Sequence, residues 1–578
     1  MPSMVIYRSS SPAPLLHKCW LARSQLRSAI VLMRGSCWQR RQLTSRVRAT
    51  RASATAAAAA PSPKTSLPDN DQAHVTAPAP SRLQEAAQAI GGVPRVVLKR
   101  GKTAVFRNGH PMVYSGAIDR VVGKPQPQAG DAVLVTDGSE APIAWGVFNP
   151  TSMFRVRIMQ LAHEANQQHQ ASLVLNVPEL IANRLHTAVQ LRTSLALGTG
   201  LVHSSPPSSS TSNGHTASTA ATSQAAPANG TEASSASTAA TSFSISGADS
   251  VVDSSSDRQA SGSQASTSRA DSRGSSVYRV VNSEGDRLSG LIVDRLGDQL
   301  VIASSAAWVE RYKDVITQQL QKACGTSNMP VWRQSKDMLL EEGIEVTAQE
   351  SDRASGAAPS DAQIQVLESG IKFWVSPNTG QKTGFYADQR DSRLAIRHLA
   401  QGKAVLDLCC YTGGFALNAL AGGAHHVTGV DSSVPALALA ESNAQLNGWP
   451  QSQYCFLKDD VVKYMQQQIV EGRQWDLVVL DPPKLAPNRK SLNRALAKYR
   501  KLNILAMRVL KPGGLLMTCS CSGAVTLDDH FVPALKEAAR AAGRHFSILR
   551  SAGSGPDHPI DPGYPEGAYL KNVLLLVA

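Results

Sequence analysis

The chain has 578 residues, too many for one domain at roughly 150 residues each. Its formal net charge is +14, but eleven of those charges (Arg8, Lys18, Arg23, Arg27, Arg34, Arg40, Arg41, Arg46, Arg48, Arg51 and Lys64) precede the first acid, Asp69. Fourteen less eleven leaves +3 for everything after, so the overall basicity is no evidence for a nucleic-acid partner.

The leader, residues 1–90, is rich in Arg, Ser and Ala and decays into an alanine run at 56–60. That is the composition of an organelle transit peptide, with a plain disordered tail as the other reading. Its apolar pieces, such as 29–33, are broken by charge, so neither a secretory signal nor a membrane span fits. The Ser/Ala character favours the chloroplast, with the mitochondrion as alternative. The eight cysteines (Cys19, Cys37, Cys324, Cys409, Cys410, Cys455, Cys519 and Cys521) include no CxxC pair, which argues against a disulfide framework or a zinc finger and for a reduced compartment. Those beyond the leader are expected mostly on buried strands.

From 93 to 165 short β-type runs at 95–98, 132–136, 143–147 and 154–158, separated by Gly, Pro and Asp, predict a small barrel or sandwich. Residues 177–197 read as a helix, with Pro178 tolerated in its first turn and Leu180, Ile181, Leu185, Ala188 and Val189 along one side. From 204 to 276 the chain is Ser, Thr, Ala and Gly, too poor in apolar groups to bury a core, and predicts a disordered insertion. A strand at 290–295, another at 301–304 and a helix near 309–323 then continue a small α/β module, so 170–203 and 277–370 form one interrupted central domain. A second polar gap at 351–363 precedes strands near 366–367 and 372–375, and the last domain occupies 371–578.

The stretch 404–415, AVLDLCCYTGGF, is an apolar run ending near Asp407, a turn with Gly413 and Gly414, and the start of a helical pattern. That is a buried strand, a tight turn and a helix, the opening of a βαβ unit. A hydride enzyme needs G-x-G-x-x-G here, and only the adjacent glycine pair is present. Asp407 would repel a pyrophosphate but suits the ammonium and sulfonium of S-adenosylmethionine. Asp431 closes the next apolar run, 427–430, where an acid holds ribose hydroxyls in nucleotide-binding α/β folds.

Four further motifs complete the pattern: KTGFYADQR at 382–390, Asp481-Pro482-Pro483-Lys484 after the strand 477–480, Ser520-Cys521-Ser522-Gly523 after 513–517, and the tail Tyr564-Pro565-Glu566-Gly567. With the YTGGF turn, these resemble the RlmI-type family of bacterial large-subunit rRNA cytosine-5 methyltransferases, and the resemblance runs from Val93 to Ala578. It implies an N-terminal PUA domain, an RNA-binding pseudo-barrel whose start is similar to Arg107-Asn108-Gly109-His110-Pro111 with Tyr114-Ser115-Gly116-Ala117-Ile118. A small central α/β domain and a C-terminal Rossmann-like class I methyltransferase domain follow. The leader and the insertion are absent from the family pattern, and its Glu-Glu-His-Gly signature is here Leu367-Glu368-Ser369-Gly370.

Cytosine carbon 5 needs a thiolate added at carbon 6 before it can take a methyl group. Cys521 matches the family cysteine, and Asp481, ending the fourth strand, is placed to hydrogen-bond the cytosine N3 edge. Cys519 shares that strand face but sits roughly 7 Å back, at about 3.3 Å per residue, and reads as a buried small residue. The expected S-adenosylmethionine set is Asp407, Tyr411, Gly413, Gly414, Asp431, Asp459 and Asp481, with Asp460 the fallback for Asp459 at the adenine amine and no metal. A second cysteine common after the DPP-type turn is replaced by Lys484, which leaves the group that removes the carbon-5 proton open. Lys490, Arg494, Lys498, Arg500, Lys501 and Arg508 form either a solvated helix face or an rRNA contact. The expected partner is rRNA, and the oligomeric state is open between monomer and homodimer. Methylation of a base nitrogen, and a catalytically silent RNA-binding assembly factor, are the alternative functions.

Lengthening a surface loop costs only about 0.6 kcal/mol per doubling. Replacing 204–276 with a short Gly/Ser linker is therefore expected to leave folding and methyl transfer intact, as measured by thermal unfolding and incorporation of labelled methyl groups.

Overall fold

The computed structural model describes residues 82–167, 172–197, 274–346 and 362–578. Nearly all of the expected leader and insertion, and most of the second polar gap, lie outside the described residues.

The first module is a six-stranded sheet of β1 (Arg95–Leu98), β2 (Met112–Tyr114), β3 (Ile118–Val122), β4 (Ala132–Thr136), β5 (Pro142–Phe148) and β6 (Phe154–Leu161), in the order β2-β6-β5-β4-β1-β3. Only β1 and β4 pair in parallel. The four expected runs are β1, β4, β5 and β6. Both faces are covered: Val133 and Val135 turn into the module's own core with Val96 and Phe106, while Leu134, Trp145 and Met159 turn outward against the central module. Two buried faces explain why these strands are apolar at successive positions.

The central module has β7 (Val277–Asn282), β8 (Leu291–Leu296), β9 (Gln299–Ser304) and β10 (Val331–Gln334), in the order β10-β9-β8-β7. The helix Val177–Ser194 starts at Asn176, whose side chain accepts from Glu179 N–H, with Pro in the first turn. It buries Leu180, Ile181 and Leu185 against Ile316 and Leu320 of the helix Lys313–Cys324. The single helix expected at 309–323 is broken at Tyr312, giving Ala307–Arg311 and Lys313–Cys324. Tertiary bonds hold the first piece at its own angle: Trp308 donates to the Ser289 carbonyl (2.8 Å) and Glu310 accepts from Trp332 (3.1 Å).

The hairpin β11 (Ile364–Glu368) and β12 (Ile371–Val375) turns at Ser369-Gly370, both at positive φ (50° and 82°). The expected domain boundary after Gly370 cuts this hairpin at its turn. Val366, Ile371, Phe373 and Val375 share a core with Val405 and Phe415, and the backbone N–H groups of Lys372 and Trp374 donate to Asn447 and Asn443. Val277, Leu296 and Val301 of the central module share that core, and Ser276 N–H donates to the Leu367 carbonyl (2.7 Å), so the hairpin bridges the central module and the last domain.

That domain is a seven-stranded sheet of β13 (Ala404–Leu408), β14 (His426–Asp431), β15 (Tyr454–Lys458), β16 (Trp475–Leu480), β17 (Leu510–Ser520), β18 (Phe546–Ala552) and β19 (Lys571–Val577), in the order β15-β14-β13-β16-β17-β19-β18. Only β19 runs against its neighbours. Alternate residues feed two cores: Val405, Val427, Leu477 and Met517 on one face, Leu406, Val430, Val478 and Leu516 on the other. The chain order reverses between β14 and β16 on either side of β13, and in open α/β sheets the crevice above such strand ends takes the ligand. Of the six described cysteines only Cys455 and Cys519 lie within strands; Cys409, Cys410 and Cys521 follow strand ends and Cys324 ends a helix, because the strand ends carry the functional loops.

Buried guanidinium groups meet carboxylates within and between the modules. Arg157 pairs with Glu342, Arg279 with Asp294, Arg390 with Asp557 and Arg393 with Glu368. Arg192, 1 % exposed, pairs with Asp286 and also donates to the carbonyls of Arg279 (2.9 Å) and Asp557 (2.6 Å). Truncating one member of a buried pair strands the other charge, so Arg192→Ala is expected to lower stability by about 3–5 kcal/mol in guanidinium chloride unfolding.

Candidate active site

The loop after β13 is held in a strained path. Cys409, Tyr411 and Gly413 all have positive φ (62°, 50° and 82°), and a Cβ on Gly413 would stand 3.2 Å from that of Ala440. Two acids fasten it. Asp431 accepts from Tyr411 N–H (3.0 Å) and Ser433 N–H (2.9 Å), and Asp407 accepts from Ala416 N–H (2.9 Å) in the first turn of the helix Gly414–Ala421. The strand-end acids thus have backbone work beyond ligand binding, which the strand-and-turn pattern did not show.

A cavity of about 1180 Å³ opens over these loops. Tyr411, Gly414, Asp431, Asp459, Asp481 and Cys521 line it, and so do residues of the other two modules. Asp407 and Gly413, expected to meet the cofactor, lie behind the wall: Asp407 is fully buried and acts through the turn it braces. Burial, reinforced by Asp481 and Asp431, pushes its carboxyl up to about 8, and its second oxygen has no hydrogen-bond partner among the described residues. Asp460 caps the helix Val461–Val470 through Val462 and Lys463 N–H, while Asp459 only takes Asp460 N–H (2.7 Å), so Asp459 is the freer acid. Acids that raise one another's proton affinity favour a cationic guest, and an ammonium with a sulfonium answers that need.

Beside the end of β13, Asp481 follows β16 and its N–H donates to the Leu408 carbonyl (3.3 Å). Its carboxylate accepts from Gln389 (3.0 Å), whose own oxygen accepts from Asn572 (2.8 Å). Burial and then Asp388 push the Asp481 carboxyl up to about 6, with Lys382 opposing. Cys521 stands just past β17 with its sulfur 3.9 Å from the Pro482 carbonyl. Burial and then Asp481 push its thiol up to about 11, again against Lys382. Cys519 is sealed in the core between sheet and helices, and burial raises its thiol well above the usual value. The loops after β16 and β17 are stitched together: Ser520 donates to Tyr499 (3.0 Å), Tyr499 meets Ser522 (3.2 Å), and Ser522 accepts from Ala486 N–H (3.1 Å).

Sequence reasoning gave Lys382, Tyr386, Asp388 and Gln389 no roles. Lys382 pairs with Asp388 (2.9 Å) and stands 4.2 Å from the Tyr386 ring centre, and Tyr569 donates to Asp388 (2.6 Å). Burial alone would raise Asp388, but Lys382, His558 and Tyr569 hold it well below the usual carboxylate range. The signal was the KTGFYADQR string itself, quoted as a family mark but too aperiodic to place. Glu368, whose role the departed signature left open, pairs with Arg393 beside the cavity. The basic helix Leu492–Arg508 is divided: Arg500 pairs with Glu537 (3.1 Å) and Arg508 donates to the Ala541 carbonyl, while Arg494, Lys498 and Lys501 are exposed. Among the described residues no cluster of His, Cys, Asp or Glu is placed to hold a metal ion, and no helix is long and apolar enough to cross a membrane.

Two family models match, an S-adenosylmethionine-dependent methyltransferase over residues 320–574 and a PUA-like domain over 96–161. The chain is 32% identical to the ribosomal RNA large subunit methyltransferase I of Erwinia tasmaniensis over 477 residues, covering 82% of this chain and 98% of that one. It is 36% identical to the protein of the same name from Klebsiella pneumoniae strain 342, covering 83% and 97%. Among solved structures, SMU.776, described as a methyltransferase and complexed with SAH, superposes with a TM-score of 0.57 at 16% identity, covering 83% of this chain and 99% of that one. At that identity the likeness speaks for the fold.

Asp431→Ala removes both a cavity-lining carboxylate and the brace on Tyr411. A charge-assisted hydrogen bond contributes roughly 1.5–3 kcal/mol, so calorimetric titration is expected to show S-adenosylmethionine bound about ten- to a hundredfold more weakly, with the melting temperature lowered because the Tyr411 and Ser433 N–H groups lose their acceptor.

Proposed function

We propose, for a chain that belongs to the ribosomal RNA large subunit methyltransferase I family, that it methylates carbon 5 of a cytosine in large-subunit rRNA through a covalent adduct on Cys521. The observation that carries this reading is the placement of the two cysteines: Cys521 reaches the cavity beside Asp481, and Cys519 does not. S-adenosylmethionine supplies an electrophilic methyl group when bound, and Tyr411, Gly414, Asp431 and Asp459 are the residues that would hold it. The sulfur of Cys521 adds to cytosine carbon 6 as its proton passes through Asp481 to N3; carbon 5 then takes the methyl group, and loss of the carbon-5 proton expels the Cys521 sulfur from carbon 6. Gln389 keeps the Asp481 carboxyl oriented for that proton transfer. Lys484 follows the two prolines where an aromatic would suit stacking for amino-group methylation, which supports carbon over nitrogen as acceptor. The Arg-rich, acid-poor composition of residues 1–90 supports an organellar rRNA, and the chloroplast before the mitochondrion.

The adduct gives the test. RNA carrying 5-fluorocytosine is expected to trap on the wild type and on Cys519→Ala, and not on Cys521→Ala, which still binds cofactor and RNA. Full turnover by Cys521→Ala would replace this reading with nitrogen methylation. The same enzyme has a pH signature. Between about pH 6 and 11 the resting pair is an ionised Asp481 and a protonated Cys521. Passing the thiol proton through Asp481 to N3 leaves the proton count unchanged, so kcat/KM is expected to be flat from about pH 7 to 9. Below about pH 6 it should fall about tenfold per unit as Asp481 protonates.

A further inference from the structure

The cavity is larger than a cofactor and one base require, and part of its wall is the sheet of the central module. Strand pairing aligns one row across that sheet: Asn282 on β7 faces Ile292 on β8, Ile292 faces Ala303 on β9, and Ala303 faces Arg333 on β10. Asn282, Ile292 and Ala303 all line the cavity. Side chains alternate along a strand, so Arg333 shares their face, while its neighbour Trp332 points to the opposite face and into the core. Just past this edge strand, Ser335 and, on the following helix Lys336–Glu341, Met338 line the cavity wall, and Met338 is exposed.

Arg333 also differs from the other inward arginines. Arg157, Arg192, Arg279, Arg390 and Arg393 each meet a carboxylate. The Arg333 side chain has neither an ion pair nor a hydrogen bond among the described residues, and its Nη1 is buried without a partner. Burial lowers its proton affinity, and the Tyr411 phenol at the cavity wall is the group that opposes this. A half-buried guanidinium with no counter-ion is costly and is matched by an anion that arrives with a ligand.

We propose that Arg333 is an anion anchor of the active-site cleft, taking a phosphodiester oxygen of the RNA strand whose base enters the pocket between Asp481 and Cys521. This rests on the reading of the protein as an RNA methyltransferase and adds the central module to the substrate-binding surface. The edge position of β10 suits the backbone of a strand crossing the rim, and a planar guanidinium suits phosphate. The other anion the reaction brings to the cleft is the carboxylate of the cofactor, and binding assays separate the two.

The experiment compares the wild type with Arg333→Gln and Arg333→Lys. Binding of unmodified large-subunit rRNA from cells lacking the protein is followed by filter retention over a range of salt, and S-adenosylhomocysteine binding by calorimetry. Arg333→Gln is expected to weaken RNA binding about tenfold and to reduce the salt slope by about one, with the S-adenosylhomocysteine affinity unchanged. Arg333→Lys should recover part of the loss. Unchanged RNA affinity and slope in a folded Arg333→Gln would overturn the anchor. Loss confined to S-adenosylhomocysteine would also overturn it and assign Arg333 to the cofactor. Filter retention needs no turnover, so the anchor is scored independently of whether the wild type methylates carbon 5.

Discussion

The Asp557 carboxylate is where separate parts of the chain meet. It is fully buried, accepts from Arg279 N–H (3.0 Å) and from both terminal nitrogens of Arg390, and touches His558 (3.1 Å). Its own carbonyl accepts from Arg192. Burial would raise its proton affinity, but His558 and Arg390 hold it well below the usual carboxylate range, so it stays an anion. A buried anion needs its partners in place, and those partners come from the helix Val177–Ser194, strand β7 and the helix Arg390–Leu399. Asp557 thus joins the central module to the last domain, through Arg279 N–H at its carboxylate and Arg192 at its carbonyl.

The catalytic end inherits its geometry from this junction. Arg390 is the residue after Gln389, so fixing the arginine sets the position from which Gln389 holds Asp481. Asn572 on β19 fixes the other end of the Gln389 amide. Thr383, in the same KTGFYADQR segment, donates to Asp294, which also pairs with Arg279. A segment without secondary-structure periodicity is thus ordered by contacts to groups distant in sequence together with its own Lys382–Asp388 pair.

The electrostatics of the cleft follow from crowding like charges where the strand order reverses. Asp407 and Asp481 are raised by burial and by neighbouring acids, and Asp481 in turn raises the Cys521 thiol. Lys382 is the opposing charge at both Asp481 and Cys521, and Asp388 and two tyrosine rings hold it there. The pocket therefore keeps the Cys521 thiol protonated at rest and leaves the crowded acids short of positive charge.

Much of this could be read from the residues alone. The apolar run at 404–408, the Gly413–Gly414 turn and Asp431 at the next strand end specify a local unit whose conformation depends on near neighbours, and the structure has them there. Strand period puts Cys519 and Cys521 on one face, so the preference for Cys521 came from the Ser520-Cys521-Ser522-Gly523 motif and its place at the strand end. What tertiary structure decided are the matters in which distant residues compete. Asp407 went into the wall because the helix it caps lies across it. The hairpin β11–β12 came to bridge two modules because its apolar face found Val277 and Leu296 as well as Val405 and Phe415. The row from Asn282 to Arg333 exists only through strand pairing. Local periodicity encodes an element and its faces, whereas which face meets which partner, and which buried charge is left to a ligand, is settled when the whole chain closes on its core.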